Sequence, residues 1–256
     1  MNHKFKRKVT DNGKNRIVCW FSCGAASAVA TKLALREYDR SRIYICYTDP
    51  GSEHPDNLRF LKDCENWFDH PVTILKNDKY DDTWAVWEDR KYVAGISGAP
   101  CTVELKKSVR QRFEQFDDIQ VFGYTQEELH RAERFREQNQ EVMLDTPLIR
   151  HGLGKGDCLA MVEKAGIKLP VVYEYMDHAN CIPCSKASGV AYWQRIKKHH
   201  PLEFERYAEL CDRLGVKQIK VKGERKSLRE LPEDEYPWEP EPIECSLMCQ
   251  IAENEE

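Results

Sequence analysis

The chain has 256 residues, with 39 lysines and arginines against 43 aspartates and glutamates, so its formal net charge at pH 7 is −4. A hydrophobic content of 41% is enough to bury a core, which excludes a globally disordered chain. A charge this close to neutral excludes a protein that is basic over its whole surface, but it permits a basic face on one side.

The sequence carries neither a membrane span nor a secretory signal. No apolar run approaches the roughly 20 residues that a bilayer crossing needs. The N-terminal segment MNHKFKRKVTDNGKNR is charged and has no apolar stretch of the kind found in signal peptides. We therefore expect a cytoplasmic protein without a membrane partner.

The first 150 residues alternate between short apolar runs and helical patterns, after a predicted flexible basic arm at 1–15. Four buried strands are predicted, at 16–21, 43–48, 72–75 and 119–124. Helical patterns follow them at 26–38, 55–68, 82–92, 103–116 and 126–138. Strands that alternate with helices indicate crossover connections and a parallel sheet.

The pattern changes near residue 150. Helices are predicted near 156–165 and at 187–199 and 201–214, and a tail rich in proline and glutamate begins at 230. The predicted fold is thus α/β, with a doubly wound, mostly parallel sheet and helices on both faces. We assign 16–150 to this α/β core and 151–256 to a helical extension that bears cysteines.

A turn of small residues, Ser22-Cys23-Gly24-Ala25-Ala26-Ser27, joins the first strand to its helix. Small residues let backbone N–H groups approach an anion, and the start of a helix adds the positive end of its dipole. The turn lacks the lysine of the GxxxxGK[ST] phosphate loop and is not GxGxxG. Taken alone, it could equally be a tight structural turn.

Five further segments follow this turn in a recognisable order: YTDPGSEHPDNLRF at 47–60, CTVELKK at 101–107, GYTQEELHR at 123–131, TPLI at 146–149 and ECSLM at 244–248. With SCGAAS at 22–27 they resemble the phosphoadenosine phosphosulfate (PAPS) reductase family. That family belongs to the PP-loop ATP pyrophosphatases, which have an adenine nucleotide alpha-hydrolase-like fold. The resemblance spans most of the chain, from 16 to 249.

The resemblance implies an adenine-nucleotide site, for ATP or for adenylylsulfate (APS) or PAPS. Its implied binding residues are Ser22, Cys23, Gly24, Ala25, Ala26, Ser27, Asp49, Gly51 and Gly123, and Asp49 is also an implied catalytic residue. The chain departs from the family pattern where Cys23 replaces glycine, Ala25 lysine, Ala26 aspartate and Thr125 arginine. These changes remove charges that a sulfated bisphosphate would need, so nucleotide binding is a safer expectation than PAPS specificity. A bound Mg²⁺ would need Asp49 or Glu53.

Eleven cysteines, an odd number, make a disulfide scaffold improbable in a chain without a secretion signal. Four of them, Cys19, Cys46, Cys64 and Cys211, lie in apolar periodic stretches and are predicted to be buried and inert. The remaining thiols are the candidates for metal binding or sulfur chemistry.

Cys181-Ile-Pro-Cys184 is a CxxC turn, which can bring two thiolates to one metal. By resemblance to the iron–sulfur APS reductases, Cys101 is the implied third ligand, and a 4Fe–4S cluster is the favoured cofactor. The fourth ligand would be Cys245, Cys249 or Cys158, unless one iron site stays open. A structural zinc site and a metal-free redox CxxC are the alternatives.

Cys245 lies in the segment Glu244-Cys245-Ser246-Leu247-Met248, which resembles the E-C-G-L-H tail that carries the reductase nucleophile. A thiolate on such a tail can attack an activated sulfur and then exchange with a second thiol. Cys245 is therefore interpreted as a nucleophile or as the fourth cluster ligand, with a spectator thiol as the third alternative.

Basic residues cluster in the helix that follows Cys101, near 195–198, and in KQIKVKGERKSLR at 217–229, where six basic residues stand against one acid. Such a stretch can neutralise phosphates of a nucleic acid, although a solvated face is the more common explanation.

Three functions fit these patterns. The favoured one is an ATP-dependent enzyme that adenylates an acceptor and supports sulfur insertion, into a nucleic-acid base or a DNA phosphate. The second is an APS or PAPS reductase that releases sulfite, and the third is a non-catalytic nucleotide- or zinc-binding module. Expected partners are a nucleic-acid acceptor, a sulfur or electron donor such as a cysteine desulfurase or a thioredoxin-like protein, and a second copy of the chain in a homodimer.

Overall fold

A computed structural model describes residues 8–96, 98–243, 246, 248 and 252. Its centre is a five-stranded, all-parallel sheet in the order β3-β2-β1-β4-β5. The strands are β1 (Ile17–Trp20), β2 (Ile43–Thr48), β3 (Val72–Leu75), β4 (Ile119–Val121) and β5 (Met143–Asp145). The predicted α/β class and parallel sheet are confirmed.

Helices flank the sheet and continue beyond it. The bounds are α1 (Ala25–Glu37), α2 (Asp56–Phe68), α3 (Thr83–Arg90), α4 (Pro100–Thr102), α5 (Ser108–Phe113), α6 (Leu129–Gln138), α7 (Pro147–His151), α8 (Lys155–Lys164), α9 (Val190–His199) and α10 (Pro201–Leu214). A π-helical segment, Val103–Lys107, joins α4 to α5. A π turn inserts an extra residue into the helical repeat, which often occurs next to functional sites.

In the inner strands β1 and β4 the side chains alternate between two covered faces, as in a doubly wound fold, whereas Ile74 of the edge strand β3 is 45% exposed. Cys19 and the residues that share its face pack with α1, α2 and α8 in the main apolar core. Trp20 points to the other face, where its ring contacts Phe113 at the end of α5 in an edge arrangement, with 6.2 Å between centroids. Burial on both faces explains why β1 reads as a continuous apolar run. The burial predicted for the strand at 72–75 is wrong, because β3 lies at the edge of the sheet and its two central residues are exposed.

A second core joins α3 to the C-terminal helices. Trp87 of α3 packs edge-on against Tyr207 of α10, and Tyr207 stacks on Trp193 of α9 at 5.0 Å between centroids. A small antiparallel hairpin follows α10, formed by β6 (Ile219–Val221) and β7 (Glu224–Lys226). Helix α8 packs in the first core and α3 in the second, so each core contains residues from both sides of position 150. The division at residue 150 stays a prediction.

The predicted strand bounds agree with the observed bounds for some strands and differ for others. Strands β2 and β3 have the predicted bounds, whereas the strand predicted at 119–124 ends at Val121. The sequence patterns miss strand β5, because its apolar residues are followed directly by the charged Asp145 and preceded by Gln140 and Glu141. In the described part of the chain, none of the helices has the length and apolarity needed to cross a membrane.

Residues 8–15 are the described part of the predicted N-terminal arm, and they contact the core. Asp11 forms an ion pair with Arg42 at 2.7 Å, and the Asn15 side-chain amide donates to the Asp117 carbonyl.

The burial predicted for four cysteines is confirmed, because Cys19, Cys46, Cys64 and Cys211 are fully buried.

Candidate functional site

The predicted phosphate turn lies at the carboxyl end of β1. Gly24 is the residue before α1, and Ala25 to Ser27 form the first turn of that helix. Cys23 has a φ of 54°, which is uncommon for a residue with a side chain, and its thiol is fully buried. Burial raises the pKa of this thiol, so Cys23 contributes its backbone rather than a reactive sulfur to the turn.

Ser27 holds the turn together. Its hydroxyl accepts a hydrogen bond from the Ser22 backbone N–H at 3.0 Å and donates to the Gly24 carbonyl at 2.9 Å. The Ala25 N–H donates to the hydroxyl of Tyr173 at 3.3 Å. Among the described residues, the N–H groups of Gly24 and Ala26 have no acceptor. The positive end of α1 therefore keeps backbone donors that an anion could use.

Gly123, just after β4, packs directly against the backbone of the turn before α1. A Cβ at this position would lie 2.7 Å from the Ser27 Cα and 2.8 Å from its nitrogen. Only glycine lets the chain that leaves β4 approach the first turn of α1 so closely. Strand order reverses between β1 and β4, and the crevice at such a switch point is where open α/β sheets bind ligands.

The loop after β2 carries Asp49 and Gly51, and in addition to burial the Asp49 charge contributes to the raised pKa of Cys23 in the turn after β1. The Asp49 carboxylate accepts from the Gly51 N–H at 2.8 Å and pairs with Lys76 at 3.0 Å. Gly51 has a φ of +66°, and a Cβ there would overlap the Asp81 carbonyl. The glycine is therefore required by the loop itself, and Asp49 is held by two partners at the loop's start.

Glu53, later in the same loop, is the centre of a buried polar network. One carboxylate oxygen accepts from the Tyr47 hydroxyl and from the Asn57 amide, each at 2.9 Å. The other oxygen pairs with the Lys106 ammonium at 3.0 Å. Burial alone would lower the pKa of Lys106, but the Glu53 carboxylate outweighs it and raises that pKa above its ordinary value.

The three cysteines implied as ligands line one cavity of about 90 Å³. Its lining includes Cys101 from α4, Cys181 and Cys184 from the CxxC loop, Lys106 from the π-helical segment, Trp87 from α3 and Pro50 from the loop after β2. All three thiols are half-buried and free. The structure thus brings together cysteines that are 80 or more residues apart in the sequence.

The CxxC loop is attached to the loop after β2. Cys181 and Glu53 are antiparallel bridge partners, and the Ile182 N–H donates to the Ser52 carbonyl at 2.8 Å. On the other side of the cavity, the Cys101 thiol lies 3.8 Å from the Ser185 hydroxyl. The segment 49–53 therefore borders the cysteine cavity through Pro50 and pairs with Cys181 through Glu53. Together with burial, the charges of Glu53 and Asp49 help to raise the pKa of Cys23 in the turn after β1.

The composition of this cavity suits a soft, electron-rich ligand. Burial raises the pKa of Cys181, and the nearby Lys106 ammonium partly offsets that effect. The indole N–H of the fully buried Trp87 has no acceptor among the described residues, so it remains a donor for a group in the cavity. Among the described residues, no three histidine, cysteine, aspartate or glutamate side chains are already arranged around a metal position.

Several residues of this site were not found by the sequence patterns. Tyr173 comes from LPVVYEY, which has no motif, and its place over the turn depends on packing between distant segments. Trp87 falls in the helix predicted at 82–92, and no sequence pattern indicates a function for it. Cys245 and Cys249 lie outside the described residues, so the interpretation of Cys245 as nucleophile or ligand stays a prediction.

Comparison with known proteins adds no family assignment. Neither a protein-family model nor a curated protein matches this chain.

Proposed function

We propose that this protein binds ATP at the turn before α1, adenylates an acceptor and supports insertion of sulfur from the cysteine cavity. The observation that carries the proposal is the segment 49–53, which connects the two places. The charges of Glu53 and Asp49 act on Cys23 in the turn before α1, while Pro50 lines the cavity and Glu53 is the bridge partner of Cys181. A nucleotide and a sulfur donor bound at these places would be neighbours across one loop.

The reaction has two steps that each replace one bond with another. An acceptor oxygen attacks the α-phosphorus of ATP, so the bond between the α- and β-phosphates breaks and pyrophosphate leaves. A sulfur nucleophile then attacks the acceptor atom, and its bond to oxygen breaks as AMP departs. Adenylation is needed because a bare oxygen is a poor leaving group, whereas AMP is a good one.

The chain's own groups bind and orient the reactants. The N–H groups of Gly24 and Ala26 and the dipole of α1 stabilise phosphate charge without a lysine. The Tyr173 hydroxyl accepts from Ala25, so its own proton is available to a phosphate oxygen. Lys106, paired with Glu53, stays protonated near neutral pH and presents a positive charge to the cavity.

Cys101, Cys181 and Cys184 are the residues that would hold an iron–sulfur cluster. Three thiols, a nearby ammonium and the unpaired Trp87 N–H suit a cluster of negative charge, whose sulfides accept hydrogen bonds. Bound there, the cluster would supply a place to hold and deliver sulfide. The reductase alternative depends on Cys245, which lies outside the described residues.

Product analysis tests the proposed function. The anaerobic, full-length protein would be incubated separately with ATP, APS and PAPS, with a sulfide source and nucleic-acid acceptors. We expect AMP and pyrophosphate from ATP only, in a reaction that depends on the acceptor. Sulfite from APS or PAPS would contradict the proposal in favour of the reductase.

A further inference from the structure

We propose that the hairpin β6–β7 holds the phosphate backbone of a nucleic acid at the mouth of the cysteine cavity. This inference rests on the proposed function, for which it names the acceptor class. Its starting observation is charge: the segment 217–229 has six basic residues and one acidic residue, whereas the whole chain is slightly acidic. A local basic stretch on an acidic protein marks a surface for a polyanion.

The exposed face of the hairpin carries cations that form no ion pair with a described residue, although the Arg225 guanidinium donates to the Gln218 carbonyl at 3.1 Å. Ile219 is fully buried, so its neighbour Lys220 points to the opposite, solvent face, and Arg225 lies directly across from it. Like charges directly opposite each other destabilise a hairpin. Lys217, Lys220 and Lys222 form no ion pair within the described residues. By contrast, Lys226 pairs with Glu230, and Arg229 with Glu205 and Asp212.

The turn at the tip of the hairpin adds another cation, Lys222. Lys222 and Gly223 are the two central residues of the turn, with φ angles of 49° and 90°. Such a turn favours asparagine followed by glycine, because both residues need a positive φ. A lysine in this position adds charge at the tip and is less suited to the backbone than asparagine.

Hydrogen bonds fix the hairpin beside the CxxC loop. The Lys220 N–H donates to the Ser188 carbonyl at 2.8 Å, and the Gln218 amide donates to the carbonyls of Ser185 and Ala187 at 2.9 and 2.6 Å. Lys186, in the same loop, is exposed and lines the cavity. A backbone that follows these cations from the hairpin tip to Lys186 would therefore pass the cavity.

The chemistry of this surface favours nucleic acid over a membrane. None of the exposed large apolar side chains lies within 217–229, so the hairpin has no group to insert into a bilayer. Repeated phosphates at regular spacing match a row of separated cations better than a single small anion does. DNA and RNA share this backbone, so the experiment has to distinguish them.

The test is fluorescence anisotropy of the full chain with labelled single-stranded DNA, RNA of the same sequence and duplex DNA, over a range of salt concentrations. We expect binding that weakens with salt. In Lys220→Gln/Arg225→Gln, the slope of log K against log salt on the single strands should fall by about 1.4, at roughly 0.7 for each lost phosphate contact. The matched control, Lys226→Gln/Arg229→Gln, removes two ion-paired charges from the same segment and should leave the slope unchanged.

A second variant tests whether misfolding, rather than a lost phosphate contact, causes the smaller salt slope. Lys222→Asn gives the turn its preferred sequence, so the melting temperature should not fall, while the slope should decrease by about 0.7. Equal slopes for both double variants, or stronger binding to phosphatidylserine vesicles than to any oligonucleotide, would overturn the proposal. Preference among the three oligonucleotides identifies the acceptor as DNA or RNA.

ATP titration of the same proteins separates this inference from the proposed function. ATP binding without any oligonucleotide binding would overturn the hairpin's role and leave the nucleotide site standing. Oligonucleotide binding that depends on Lys220 and Arg225, in a protein that does not bind ATP, would support the hairpin and contradict the proposed function.

Discussion

Glu53 and Lys106 form an ion pair of 3.0 Å between the loop after β2 and the helical segment that follows Cys101. The Glu53 side chain is only 4% exposed, and the Tyr47 hydroxyl and the Asn57 amide also donate to it. The pair therefore joins the loop after β2 to Lys106 in the lining of the cysteine cavity through a buried carboxylate.

Removing the Glu53 carboxylate should destabilise the protein. In Glu53→Ala, three buried or half-buried donors lose their acceptor, and we expect a loss of about 2–4 kcal/mol in the free energy of unfolding. Glu53→Gln keeps an acceptor oxygen and should cost less. Urea denaturation measures both values, with Glu163→Ala on the exposed side of α8 as the control. A Glu53→Ala variant as stable as the control would show that the network contributes little.

Gly123→Ala should disturb the turn before α1. The added methyl group would meet the backbone of Ser27, which cannot move without shifting the start of the helix. We expect a loss of stability of about 1–3 kcal/mol and weaker ATP binding in calorimetry. Gly189→Ala is a suitable control, because a Cβ at Gly189 meets nothing within 4 Å. Unchanged ATP affinity in a folded Gly123→Ala protein would argue against the nucleotide site.

Asp56 should make the protein acid-sensitive below pH 4. Its hydrogen bonds with Arg59, together with one from the Val171 N–H, lower the pKa of Asp56 to about 2, although burial opposes this. Since the folded pKa lies below the ordinary value of 3.8, its contribution is complete above that value and is lost as the pH falls toward 2. Because Asp56 is partly solvated, we expect about 1–2 kcal/mol.

Unfolding of Asp56→Asn, measured from pH 2 to pH 7, isolates this contribution. The variant should be less stable than the wild type at pH 7 and converge with it near pH 2. Asp63→Asn removes the more exposed carboxylate partner of Arg59 and is the matched control. Parallel curves for the wild type and Asp56→Asn would contradict the expected linkage.

Replacing the cavity cysteines should remove iron. After anaerobic purification, we expect iron and acid-labile sulfide in the wild type and a strong loss of both in Cys101→Ser, Cys181→Ser and Cys184→Ser. Cys211→Ser is the control, because Cys211 is buried outside the cavity. A colourless wild-type protein with stoichiometric zinc would reject the cluster in favour of the zinc alternative.

The inner strands could be predicted because β1 and most of β2 are covered on both faces and appear as uninterrupted apolar runs. Apolar and β-branched residues also identify the exposed edge strand β3 to the residue, whereas β5 ends in a charged aspartate and shows no such run. The packing of Trp84 and Trp87 with α10 could not be predicted either. It depends on contacts between segments more than 100 residues apart, which no local periodicity records.

The site was predictable only in part, for a related reason. Motifs indicated Cys101, Cys181 and Cys184, and the structure brings them to one cavity. The attachment of Cys181 to Glu53 is a backbone contact between loops, so no side-chain pattern could reveal it.

The most direct test of a shared site measures thiol reactivity with and without ATP. The full-length, metal-free protein would be alkylated with iodoacetamide, and the rate at each cysteine followed by mass spectrometry. ATP at the turn before α1 should order the segment 49–53 and slow the labelling of Cys101 and Cys184, while the buried Cys64 stays unreactive throughout. Saturating ATP that leaves the rates at Cys101 and Cys184 unchanged would contradict the claim that the nucleotide turn and the cysteine cavity form one site.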